Sequence, residues 1–145
     1  MTTADVLTIV RQRVGMSLAE IGVDYPPYSD TFLLSYAKTA NYHLNGLGVS
    51  TGVSITAYDI TPEPTDIIGL LIASTTAMWL IRDDMLNKLR DGELGISFSS
   101  GATSITSTQA ARSLATSADK IEDWQNLLLN VYLGGDPNSV NLRLQ

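Results

Sequence analysis

The feature that most restricts how this chain folds is the run Ile67–Ile81. Its fifteen residues are apolar on nearly every side and are interrupted by Ser74, Thr75 and Thr76. A bilayer span needs roughly 20 apolar residues, so the run is too short to cross a membrane. A helix apolar all round must instead be surrounded by protein. Thr65 can cap such a helix, and Asp66 in its first turn complements the positive end of the helix dipole. The expected helix covers 66–90, about 37 Å at roughly 1.5 Å per residue. From Arg82 onward it turns amphipathic, with Met85, Leu86 and Leu89 on one face and Asp83, Asp84, Asn87, Lys88 and Arg90 elsewhere. Gly92 stops it.

The remaining segments must supply the neighbours of that helix. Val6, Leu7, Val10 and Val14 fall at helical spacing and predict a helix over 3–14, with Gly15 as its stop. Ser17-Leu18-Ala19-Glu20 has capping-box spacing, but Gly22 follows, so at most one turn is expected there. Tyr25-Pro26-Pro27-Tyr28 reads as a stiff loop. Ser29 or Asp30 caps a helix over 30–45, lined on one face by Leu33, Tyr36, Ala37, Ala40, Leu44 and Leu47. Val53, Ile55 and Ala57 alternate with Ser54 and Thr56, as in a short strand or extended arm, and Thr61-Pro62-Glu63-Pro64 reads as a rigid linker.

Ile96 and Phe98 alternate with Ser97 and Ser99, and Ser104-Ile105-Thr106 offers a second strand. The segment 94–106 is expected to be a β-hairpin or protruding loop. Thr106-x-x-Gln109 has capping-box spacing and opens a helix over 107–133. Leu114, Ala118, Ile121, Leu128 and Tyr132 form its stripe, widened by Trp124, Leu127 and Val131. Gly134-Gly135-Asp136-Pro137 stops it, and Val140, Leu142 and Leu144 alternate in the tail beyond. No internal repeat or second-domain boundary is visible. The expected fold is mainly α: one four-helix bundle-like domain over 1–133, carrying a small β-hairpin or extended loop, followed by an extended C-terminal docking tail over 134–145.

A search for chemistry returns little. Fifteen acidic against nine basic residues give a net charge of −6. The basic residues are scattered, which disfavours a surface built to neutralise phosphates. The chain has no cysteine, so disulfides, thiolate chemistry and zinc–cysteine sites are excluded. A Ser-His-Asp arrangement would depend on His43, the one histidine, and no local Ser or Asp pattern accompanies it. Asp83 and Asp84 point roughly 100° apart on a helix and do not converge. Asp59, Glu63 and Asp66 flank two prolines without EF-hand spacing and read as solvated loop carboxylates. Gly46-Leu47-Gly48 and Gly134-Gly135 match no phosphate-binding loop. Trp79 and Trp124 lie on apolar helical faces, as core residues do. Met1–Asp5 lacks the basic start of a secretory leader. The expectation is therefore no enzyme activity, no cofactor, no metal and no membrane association.

Three features suggest assembly instead: the all-round apolar helix, the polar hairpin between two long helices, and the alternating tail. Tyr28-Ser29-Asp30 with Leu33, Ala37, Ala40 and Leu44, then Pro64 leading into 66–90, then Gly95–Thr106, resembles the head–tail connector (adaptor) proteins of long-tailed bacteriophages. That resemblance covers most of the chain. It implies a virion structural protein, made in the host cytoplasm, whose copies form a dodecameric ring beneath the portal and above the next neck or tail-terminator protein. DNA would pass through without sequence-specific binding, and an acidic ring would repel it. Carried onto this chain, Ser97, Phe98, Ser99, Gly101 and Ile105 belong to a channel or partner loop. Asn138, Val140, Leu142, Arg143 and Leu144 belong to a portal-docking segment. Competing expectations are a head-closure or tail-completion subunit, a small helical enzyme or metal-binding bundle, and a cellular helical interaction module.

Overall fold

The computed structural model describes residues 1–20, 23–24, 28–87, 95–96 and 107–134. Among them the fold is mainly helical. Helix α1 spans Thr3–Glu20, α2 Asp30–Gly46, α3 Asp66–Trp79 and α4 Ser107–Tyr132, and a π-helical stretch, Leu80–Met85, continues α3. Strand β1 (Val23–Asp24) pairs antiparallel with β4 (Gly95–Ile96), and β2 (Ser54–Ile55) pairs antiparallel with β3 (Ile60–Thr61).

Helix α3 lies at the centre and packs against α1, α2 and α4. Leu71–Met78 is buried without a break, as an all-round apolar helix requires. The three polar residues within it are tolerated because each hydroxyl bonds back along the helix. Ser74 Oγ and Thr75 Oγ1 donate to the Leu71 carbonyl at 3.0 and 2.8 Å, and Thr76 Oγ1 donates to that of Ile72 at 2.6 Å. The core around α3 is Val6, Leu7, Val10 and Val14 of α1, Leu33, Leu34, Ala37 and Leu44 of α2, and Leu114, Ala118 and Ile121 of α4.

Helix ends follow local chemistry. Thr2 and Asp5 form a reciprocal capping pair at the start of α1: Thr2 N–H donates to Asp5 Oδ2 at 3.0 Å, and Asp5 N–H to Thr2 Oγ1 at 3.1 Å. Ser29 Oγ accepts from Phe32 N–H at the start of α2. That helix closes in a Schellman turn: Val49 N–H reaches the Leu44 carbonyl, Gly48 N–H reaches that of Asn45, and Gly48 takes the left-handed φ of 91°.

Three expectations are corrected. The first helix does not stop at Gly15 but runs on to Glu20 and absorbs the supposed capping turn at 17–20. Glycine inside a helix costs only about 0.5–1 kcal/mol relative to alanine, which a continuing helix tolerates. The supposed linker from Thr61 begins inside a hairpin, whose turn Thr56 and Asp59 close through Thr56 N–H to the Asp59 carbonyl at 2.9 Å. Ile55 and Ile60 face the core from it, and Ile60 N–H donates to Thr3 Oγ1 at 3.0 Å. Finally, Gly95–Ile96 pairs with Val23–Asp24, inside the stretch read as a loop between the first two helices. Its expected partner, 104–106, lies outside the described residues.

Candidate interaction sites

The π-helical stretch sends three successive side chains to different neighbours. Arg82 turns to α4, donating to Glu122 Oε2 at 2.6 Å and Asp119 Oδ1 at 2.9 Å. Burial opposes its charge, but the hydrogen bonds and charges of Glu122 and Asp119 outweigh that, and its pKa rises above the ordinary guanidinium value. Asp83 and Asp84 turn toward α2. Tyr36 OH donates to Asp83 Oδ2 at 2.8 Å, and Tyr28 OH donates to Asp84 Oδ2 at 3.0 Å. Tyr28, Phe32 and Tyr36 sit four residues apart and form a ladder. The first two rings stack at 5.0 Å and 7°, and the next pair lies 5.3 Å apart at 54°. The paired aspartates thus each meet a separate tyrosine.

Beside this ladder lies a cleft of about 370 Å³ between α2 and α3, lined by Ser35, Tyr36, Thr39, Trp79 and Asp83. His43 meets Trp79 edge-on, with ring centroids 5.8 Å apart at 81°. The single histidine is accordingly an aromatic packing partner. The Trp79 indole N–H is buried and has no hydrogen-bond acceptor among the described residues. A second cleft, of about 460 Å³, lies among α1, α3 and α4, lined by Ile9, Gln12, Arg13, Leu70 and Trp124. There the Arg13 guanidinium sits 4.4 Å over the Trp124 ring, a cation–π contact. Both tryptophans pack against the core at one side while lining a cleft at the other.

Helix α4 exposes an apolar flank next to the second cleft. Leu127 is 47% exposed and Val131 49%, with Leu133 just beyond the helix end at 60%, whereas Leu114, Ala118 and Ile121 are buried. Leu127 and Val131 were expected to widen the buried stripe. They lie to one side of it, because each residue advances roughly 100° around a helix. They are therefore a surface.

The anticipated interface residues Ser97, Phe98, Ser99, Gly101 and Ile105, and Asn138, Val140, Leu142, Arg143 and Leu144, all lie outside the described residues. Of the loop carboxylates, Asp59 accepts from Thr56 in the hairpin turn and Asp66 lies 3.7 Å from the Met1 amine. Among the described residues no group of three or more His, Asp or Glu gathers to hold a metal ion, and no helix is long and apolar enough to cross a membrane. Sequence reasoning missed the Arg82–Glu122–Asp119 cluster and the tyrosine–aspartate pairs. The i, i+4, i+8 spacing of Tyr28, Phe32 and Tyr36 was the available signal for the latter. Set against protein-family models, curated proteins and solved structures, the chain matches none.

Proposed function

We propose that the chain is a structural assembly subunit of a tailed-phage neck: an adaptor whose copies ring the DNA path between the portal and the next neck or tail-terminator protein. The observation that carries this reading is the exposed pair Leu127 and Val131, one turn apart on one face of α4. Two large aliphatic side chains are left half exposed near the end of the helix that leads into the alternating segment 138–145. Neighbouring apolar side chains exposed on one helix face support a contact surface there. The polar side chains give secondary support, because they are used in holding elements together. Arg82 ties α3 to α4, Asp83 and Asp84 anchor tyrosines, and Gln125 bonds Thr75 in the core. The net charge of −6 suits a channel that DNA must traverse without sticking. In this reading 138–145 docks on the portal and 97–106 faces the channel or the next protein.

Native mass spectrometry of the full chain, alone and with a portal ring, tests this against a chain ending at Leu133. Ring-sized oligomers, or portal binding lost on truncation, are the expected result. A strict monomer indifferent to the portal and to truncation would sink the adaptor reading in favour of a monomeric interaction module.

A further inference from the structure

The two tryptophan clefts differ in one respect. Trp124 carries the chain's own Arg13 over its ring, 4.4 Å away. Trp79 lines a cleft of similar size into which none of the described residues sends a cation, and its polar lining consists of Ser35, Tyr36, Thr39 and Asp83. Ser35 Oγ–H donates to the Phe32 carbonyl at 2.6 Å, and Thr39 Oγ1–H donates to that of Ser35 at 3.4 Å. Tyr36 O–H donates to Asp83. With these hydrogens engaged, the two aliphatic hydroxyl oxygens and the Asp83 carboxylate face the cleft as acceptors. Among the described lining side chains the remaining donor, the Trp79 N–H, is buried. Asp83 itself meets no cationic side chain among the described residues. Aromatic walls with acceptors alone call for a flat cation rich in N–H groups, which is the chemistry of a guanidinium.

The chain carries a matching group. Among the described arginines, Arg11 pairs with Asp30, Arg13 covers Trp124, and Arg82 bridges Asp119 and Glu122. Arg112, on the first part of α4, is exposed and engaged by none of the described residues. Arg112 is not among the residues that line the cleft of its own molecule. Arg82 faces α4, while the neighbouring Asp83 faces α2.

We infer that the Trp79–Asp83 cleft seats Arg112 of a neighbouring copy. The inference rests on the assembly reading and gives it a specific contact. Because the two halves occupy different surfaces of one chain, the contact is head-to-tail. Each copy offers a cleft on one side and an arginine on the other, the arrangement that closes into a ring when the rotation permits.

The test is native mass spectrometry of the full chain and two variants, Asp83→Arg and Arg112→Ala, with circular dichroism to confirm folding. Each variant alone is expected to lose oligomers, with association at least ten-fold weaker. An equimolar mixture retains one intact cleft–arginine contact per pair, so it is expected to form dimers and grow no further. Oligomers unchanged in either variant, or a mixture that grows to full size, would overturn this contact while leaving self-assembly standing. Wild-type protein that stays monomeric at every concentration, with and without a portal ring, would remove the assembly reading and the contact together.

Discussion

Gln125 is one of the few polar side chains buried on α4, and its amide donates to the Thr75 hydroxyl on α3. Both residues lie in the core, so neither finds water if its partner is lost. Thr75→Val is expected to leave the Gln125 donor unpaired and cost about 1–3 kcal/mol. The double variant Thr75→Val with Gln125→Leu replaces both partners with apolar groups and should recover most of that loss. Urea unfolding of the two single variants and the double variant checks this, and strictly additive losses would count against a shared bond. A second residue-scale prediction concerns Asp5. The backbone hydrogen bond from Thr2, then the Thr2 side chain, hold its carboxyl below the ordinary value of 3.8. A depressed pKa stabilises the fold above the unfolded value and is lost as pH falls through the folded one. Asp5→Asn should therefore lower the melting temperature slightly at neutral pH, and the difference should vanish once the pH is well below 3.8. The partner of Thr75 was not legible in the sequence, where Ser74, Thr75 and Thr76 stood only as a polar interruption. The Thr-x-x-Asp cap was legible in principle, since it is written in four adjacent residues.

At the scale of elements, the continuation of α3 into a π-helical stretch decides which neighbours are held. Apolar periodicity predicts one helix through this region, and periodicity alone does not register a local change of hydrogen-bonding step. Its consequence is concrete, because Arg82 lands between two carboxylates of α4 while Asp83 and Asp84 land on the tyrosines of the α2 side. Arg82 is about a third exposed and both of its acidic partners are more so, so the worth of the cluster is modest. A double-mutant cycle of Arg82→Ala and Glu122→Ala is expected to return a coupling of roughly 0.5–1 kcal/mol, reduced by added salt. A coupling of zero would assign Arg82 to packing through its methylenes alone. Both ends of α2 and α4, and the start of α3, were readable to within a residue or two because their caps and apolar spacings are local. The pairing of Val23–Asp24 with Gly95–Ile96 was not, because nothing in either segment names a partner seventy residues away.

Across the whole molecule, the buried and exposed apolar surfaces of α4 have different jobs. Leu114, Ala118 and Ile121 close the core on α3, while Leu127 and Val131 are each about half exposed. If the flank serves assembly, replacing its residues should leave the subunit intact and weaken only its association. Leu127→Ser with Val131→Ser is expected to change the unfolding free energy little, because exposed substitutions usually stay within about 0.5 kcal/mol. Covering the exposed half of each side chain against a neighbour is worth about 1 kcal/mol, from roughly 1.5–3 kcal/mol for full burial. The pair should thus weaken each subunit contact by about 2 kcal/mol, a factor of roughly 30 in the dissociation constant. Sedimentation across a concentration series, run beside urea unfolding of the same variant, separates the two effects. Unfolding shifted in step with association would place these residues in the core of the subunit. Unchanged association with unchanged folding would leave the flank without a role in assembly. The seat for Arg112 lies on another face, so the two sets of substitutions should weaken association independently, as distant sites do.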